Sequence, residues 1–111
     1  MGITPSDLVQ LQNDLCTPLA AYGTNCGLGA AEVIAGIINM KQAADLANVQ
    51  PILVAKGNCG IPEWVDGKIC YSGTPELMAI YTKMAIDSGA RIIGGCCGVR
   101  KEHICELRQI V

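Results

Sequence analysis

Three short apolar runs of strand length alternate with four helical segments, and this alternation restricts the fold more than any other feature of the chain. The runs lie at residues 19–23, 51–55 and 91–93. The second run is continuously aliphatic, as in strands that are buried on both faces. Helix and strand repeated in this order predict right-handed βαβ units around a parallel sheet, and therefore an α/β fold.

The four helical segments are indicated by their caps and by their apolar spacing. We expect them at residues 4–15, 29–47, 74–89 and about 100–110. Thr4 and Thr74 each precede a proline, which is a typical helix start. Between residues 57 and 73 we expect a long loop, which contains the only tryptophan, Trp64.

Composition narrows the class of protein. A chain of 111 residues fits one domain, and 50% hydrophobic residues argue against disorder. The net charge of -2 and the scattered basic residues predict neither a nucleic-acid partner nor a membrane partner. No apolar run approaches the roughly 18 to 20 residues of a membrane span, and the N-terminus lacks the pattern of a secretory signal. We therefore expect a cytoplasmic protein.

Seven cysteines in such a chain are expected to be reduced thiols. For four of them we predict the role of small buried hydrophobes, namely Cys16, Cys59, Cys70 and Cys105. The other three follow predicted strands, with Cys26 after the first strand and the pair Cys96 and Cys97 after the third. Parallel strands end on the same side of a sheet, so Cys26 can meet the pair there. Three thiolates with an open fourth position predict a zinc site that can activate a substrate thiol.

Three motifs resemble the zinc-dependent homocysteine S-methyltransferase family. They are Gly-Thr-Asn-Cys-Gly at 23–27, Ala-Lys-Gly-Asn-Cys-Gly-Ile-Pro at 55–62 and Gly-Ala-Arg-Ile-Ile-Gly-Gly-Cys-Cys-Gly at 89–98. Residues 65–67 and 71–78 are most similar to bacterial betaine-homocysteine methyltransferases. The resemblance spans nearly the whole chain and implies zinc ligands at Cys26, Cys96 and Cys97.

The same resemblance implies an activity. In this family the zinc ion takes the homocysteine sulfur as its fourth ligand, and the bound thiolate attacks the methyl group of a donor to give methionine. Betaine is the favoured donor, followed by S-methylmethionine or a methylated cobalamin or folate. Asn25 and Asn58, which follow the first two strands, are candidate substrate-binding residues, although Asn25 is equally explained by turn geometry.

The family fold is a (β/α)8 barrel, whereas this chain contains about three βα units. We therefore expect a partial TIM barrel, with residues 1–111 forming the C-terminal portion of a homocysteine-binding barrel domain and Met1 standing inside a longer gene or at the edge of a shortened chain. Two exposed sheet edges favour self-association or pairing with a missing N-terminal half. Turnover by the chain alone is expected to be weak or absent.

Three residues invite a role in the site, and two other function classes remain open. His103, the only histidine, lies in the first turn of a helix, which favours a structural contact over catalysis. Trp64 and Tyr71 could face a quaternary ammonium group or pack within the loop. A non-catalytic zinc-binding module of the same fold would use the same cysteines without a substrate pocket. A thiol redox protein would have to cycle the adjacent cysteines through a strained disulfide, since no C-x-x-C pair is present.

Overall fold

The strands in the described part of the chain form a three-stranded parallel sheet and a separate two-stranded antiparallel hairpin. The computed structural model describes residues 2–111, so Met1 lies outside it. The elements in chain order are α1 (Pro5–Asp14), β1 (Tyr22–Cys26), α2 (Ala30–Leu46), β2 (Leu53–Gly57), β3 (Pro62–Val65), β4 (Lys68–Tyr71), α3 (Pro75–Asp87), β5 (Ala90–Gly95) and α4 (Lys101–Arg108). The predicted alternation of helices with parallel strands is confirmed.

The parallel sheet has the order β1-β2-β5, and helices pack against one of its faces. The connections β1-α2-β2 and β2-α3-β5 each lead to the neighbouring strand in the same direction across the sheet. Because such connections are right-handed, α2 and α3 lie on the same face. Leu53 and Ala55 of β2 are buried, whereas Lys56 is exposed. On the open face, Val54 pairs with Ile92, which is 49% exposed. Within residues 2–111 the sheet does not close, and β1 and β5 each pair on one side only.

The core lies between the sheet and helices α2 and α3. Its largest fully buried side chains are Tyr81, Ile37, Leu53, Val33, Thr82 and Cys59. Helix α1 packs against α2, and α4 packs against α3, so both outer helices are held by the inner ones. None of the helices described in residues 2–111 has the length and apolarity needed to cross a membrane.

The strands extend further toward their carboxyl ends than the apolar runs predicted. The first run was expected at residues 19–23, but β1 ends at Cys26, which pairs with Gly57 of β2. These strand ends consist of polar residues and glycines. They belong to the strands because their backbones are paired, although they have no apolar pattern in the sequence. Asn25 and Cys26 therefore occupy the last two positions of β1 and do not follow it.

The segment at residues 57–73 is not the plain loop that was expected. It contains the hairpin of β3 and β4, whose turn residues Asp66 and Gly67 have φ of 48° and 76°. Positive φ at both central residues of a two-residue turn is typical of tight hairpins, for which Asp-Gly is a preferred sequence. Trp64 lies on this hairpin and is 73% exposed.

Burial was predicted correctly for one of the four remaining cysteines. Cys59 is buried in the core, but Cys16, Cys70 and Cys105 are exposed. Cys70 lies on an exposed position of β4 and Cys105 on an exposed position of α4, so apolar neighbours in sequence did not predict their environment.

Candidate metal centre

The carboxyl ends of the three parallel strands lie level with one another. Cys26 is the pairing partner of Gly57, and Gly57 is in turn the partner of Gly95. The backbone N–H of Cys96 donates to the carbonyl of Gly57 at 2.9 Å, which continues the pairing one residue beyond β5. The two cysteine segments therefore flank the end of β2 from opposite sides.

This arrangement brings the three predicted ligand residues together. The Sγ atom of Cys26 lies 2.7 Å from that of Cys96 and 4.0 Å from that of Cys97. The sulfurs of Cys96 and Cys97 are 3.9 Å apart. All three ligand atoms fall within 4.8 Å of one another.

The donor set fits zinc. Zn–S bonds of about 2.3 Å in a tetrahedron place sulfur atoms about 3.8 Å apart, and two of the three separations are close to that value. The Cys26 and Cys96 sulfurs would have to separate by about 1 Å to match it. Cys97 is exposed and the other two are half-buried, which leaves one side of the cluster accessible to a further ligand.

The thiols of Cys26 and Cys96 share a proton unevenly. A hydrogen bond with Cys96 is the main cause that raises the pKa of Cys26 to about 11, and burial adds to it. The same bond lowers the pKa of Cys96, with further donation from the side chain of Asn25. Within this pair Cys96 therefore loses its proton before Cys26, and the remaining Cys26 S–H stabilises the thiolate. A second proton is harder to remove without a cation, so metal binding at neutral pH must release protons.

Asn25 and Tyr71 lie beside the sulfurs. The Nδ2 group of Asn25 is 3.4 Å from the sulfur of Cys26 and 3.9 Å from that of Cys96. The neighbouring Cys97 sulfur is the main cause that raises the pKa of Tyr71, so the phenol stays protonated and able to donate. The sequence suggested Tyr71 only as part of a pocket for a quaternary ammonium methyl donor. Its approach to Cys97 could not be predicted, because it depends on how the hairpin folds back.

The backbone around Gly98 brings Tyr71 close to the cysteine pair. Gly98 has φ of 76°, and a Cβ atom there would lie 2.5 Å from Cβ and Cγ of Tyr71. Only a residue without a side chain allows the aromatic ring to approach the backbone this closely.

Asn58 and His103 are both buried, in different surroundings. Asn58 is 4% exposed, and its side chain contacts the backbone of both cysteine segments. Nδ1 of His103 accepts from the N–H of Arg100 at 2.9 Å, and Nε2 lies 3.1 Å from the sulfur of Cys59. His103 thus makes the structural contact that its position predicted and does not join the three-sulfur cluster.

Comparison with known proteins gives a family match and a distant relative. A family model described as homocysteine S-methyltransferase matches residues 1–111. The S-methylmethionine--homocysteine S-methyltransferase BHMT2 of Pongo abelii is 31% identical over an alignment of 94 residues, which covers 74% of this chain. The matched region is 26% of that protein, so the chain spans well under two thirds of its length.

Proposed function

This chain belongs to the homocysteine S-methyltransferase family, and we propose that Cys26, Cys96 and Cys97 hold a zinc ion at which homocysteine is methylated. One observation carries the proposal. Thiols from two segments 70 residues apart meet with all ligand atoms within 4.8 Å of one another. The partly exposed cluster supports binding of a fourth, exchangeable sulfur ligand.

Each part of the site has a role in this reaction. A bound zinc would keep the coordinated substrate thiol deprotonated at neutral pH. Asn25 donates to the protein sulfurs and so stabilises their thiolate forms. The protonated phenol of Tyr71 lies next to Cys97, where it can donate to that sulfur or to a polar group of the substrate. Asn25 is also the proposed contact to homocysteine, because it is exposed beside the cluster.

The proposed reaction is a direct methyl transfer. The homocysteine thiol loses its proton, a bond forms between its sulfur and the donor methyl carbon, and methionine is released. If the donor is betaine, the bond between nitrogen and the methyl carbon breaks and its electron pair stays on nitrogen, leaving a tertiary amine. Betaine remains our first choice because of residues 65–67 and 71–78. S-methylmethionine follows, since it appears in the name of the relative from Pongo abelii.

We further propose that residues 1–111 correspond to the C-terminal portion of a (β/α)8 barrel domain. The single helix-covered face and the open face of the parallel sheet support this assignment, because barrel strands carry their helices on the outside only. Three parallel strands in residues 2–111, against eight in a barrel, also suggest weak or absent turnover without a complementary chain.

A non-catalytic zinc-binding module of the same fold is the second candidate. The small share of the relative that is matched, 26%, favours it, because much of a substrate pocket would come from elsewhere. The two candidates predict the same metal content but different responses to homocysteine.

Elemental analysis of the reduced, purified chain and of Cys96→Ser tests metal binding. We expect near-stoichiometric zinc in the parent chain and a large loss in the variant. Cobalt substitution followed by absorption spectroscopy, with and without homocysteine and with an N-terminal barrel half from a relative, tests the chemistry. A spectral change that requires homocysteine supports the methyltransferase, whereas an unchanged spectrum in every mixture supports the module. A zinc-free parent chain would overturn both.

A further inference from the structure

The side chain of Asn58 joins the two segments that carry the cysteines. Its Nδ2 group donates to the carbonyl of Gly27 at 2.8 Å, directly after Cys26. Its Oδ1 accepts from the backbone N–H of Cys97 at 3.1 Å. The two partners lie 31 and 39 residues away from Asn58 in the sequence. A single amide group therefore bridges two chain segments that are far apart in the sequence.

Asn58 is itself held firmly. The preceding residue, Gly57, donates its N–H to the buried hydroxyl of Tyr81 at 2.9 Å. The following residue, Cys59, donates its N–H to the carbonyl of Cys97 at 2.9 Å. The Cys59 thiol donates to the carbonyl of Gly73 at 2.9 Å. With both neighbours tied to the surrounding structure, the Asn58 amide has a fixed position from which to hold the cysteine segments.

The segment after Cys26 needs such a support. Cys26 has φ of 64° and Gly27 has φ of 71°, so the chain leaves β1 through two successive left-handed residues. A residue with a side chain rarely adopts this conformation unless its surroundings impose it. The bond from Asn58 to the Gly27 carbonyl acts at this turn, immediately beside the Cys26 thiol.

We infer that Asn58 is a positioning residue of the metal centre, which sets the separation between the Cys26 and Cys97 segments. This inference rests on the proposed function only in that the cysteines hold a metal. Asn58 is 4% exposed and both ends of its amide are engaged with backbone groups, so it acts through the ligand segments and not by touching the substrate. An amide side chain suits this role because it offers a hydrogen-bond donor and a hydrogen-bond acceptor in one plane.

The test is a cobalt titration of the reduced full chain, followed by thiolate-to-metal absorption. We compare the parent chain, Asn58→Leu, which removes both hydrogen bonds but keeps the number and branching of the side-chain heavy atoms, and Thr82→Val as a matched control. Thr82 is fully buried on α3 and donates to the carbonyl of Met78 at 2.8 Å, so its loss affects stability without touching the cysteine segments. Loss of outer partners of metal ligands lowers metal affinity by about 10- to 100-fold, and we expect this change for Asn58→Leu only.

A second measurement follows thiol proximity without metal. In metal-free chain equilibrated with reduced and oxidised glutathione, peptide mass spectrometry gives the fraction of disulfide between Cys26 and the adjacent pair. We expect Asn58→Leu to lower that fraction severalfold relative to Thr82→Val, because the amide that links the two segments is lost. This measurement also decides the inference if Asn58→Leu takes up no cobalt.

The outcomes separate this inference from the proposed function. Weaker cobalt binding in Asn58→Leu alone supports the positioning role. Parent-like affinity in Asn58→Leu, or equal weakening in both variants, overturns it. If the parent chain binds no cobalt, the proposed function fails, and the disulfide fractions decide alone: a lower fraction in Asn58→Leu supports positioning, and equal fractions overturn it.

Discussion

The hydroxyl of Tyr81 accepts a hydrogen bond from the backbone N–H of Gly57, at 2.9 Å and fully inside the core. Gly57 is the residue at the end of β2 that pairs with Cys26 on one side and with Gly95 on the other. This hydrogen bond therefore fixes the position of the end of β2, beside which the cysteine cluster lies. Tyr22 offers a contrast, because its buried hydroxyl has no hydrogen-bond partner within residues 2–111.

Tyr81→Phe is expected to lower the free energy of unfolding by about 1 to 3 kcal/mol, because it leaves the Gly57 N–H buried and unpaired. Tyr22→Phe, the matched control, removes a hydroxyl without a partner and should leave stability unchanged or slightly higher. Urea unfolding of both variants measures the difference. An equal loss of stability in both variants would show that the hydrogen bond to Gly57 makes no specific contribution to the free energy of unfolding.

The Gly98→Ala variant tests the approach of Tyr71 to the cysteine pair, with Gly67→Ala as its control. Both glycines have φ of 76°, so both substitutions carry the same backbone cost of about 1 to 2 kcal/mol. A Cβ at Gly67 meets nothing within 4 Å, whereas at Gly98 it would lie 2.5 Å from Tyr71. We expect a larger loss of stability for Gly98→Ala and a changed cobalt spectrum in that variant alone. Identical behaviour of the two would mean that Tyr71 moves away freely.

His103→Ala distinguishes a structural histidine from a metal ligand. The substitution removes the acceptor for the Arg100 N–H, which is partly buried, and the buried contact to the Cys59 thiol. We expect the free energy of unfolding to fall by about 1 to 3 kcal/mol while the metal content of the chain stays the same. Chemical denaturation and elemental analysis give the two values. Loss of metal at unchanged stability would instead make His103 a ligand.

Local signals predicted the helices well, because caps act within a few residues. The side chain of Thr4 accepts from the N–H of Asp7, and that of Thr74 accepts from the N–H of Leu77, as the Thr-Pro pairs indicated. Strand ends were less predictable, because they depend on pairing with distant residues. At Gly23, for example, a Cβ would lie 1.9 Å from the carbonyl oxygen of Val54, a close approach that no local pattern reveals.

The meeting of the cysteines could be predicted, because parallel strands bring their carboxyl ends to one side whatever the details of packing. Their surroundings could not. The Tyr71 contact requires the hairpin to fold back onto Gly98, and the two bonds of Asn58 require a particular loop path after β2. Side-chain partners of this kind are set by tertiary structure and leave no periodic pattern in the sequence.

The shared proton between Cys26 and Cys96 predicts an order of reactivity in the metal-free, reduced protein. The thiolate is the form that reacts with iodoacetamide. Donation from Cys26 lowers the pKa of Cys96, while the same bond raises the pKa of Cys26 to about 11. As pH rises, alkylation of Cys96 should therefore begin first, and that of Cys26 should follow only under strongly alkaline conditions.

Peptide mass spectrometry across a pH series measures this order, and two substitutions test its cause. Cys26→Ala removes the main donor, so the pKa of Cys96 should rise and its alkylation should shift to higher pH. Asn25→Ala removes a weaker donor and should shift alkylation in the same direction by less, since its Nδ2 lies 3.9 Å from the Cys96 sulfur. If Cys26 is alkylated at lower pH than Cys96 in the parent chain, Cys96 is the donor of the shared proton and Cys26 is the acceptor. No shift in Cys26→Ala would show that the low pKa of Cys96 has another source.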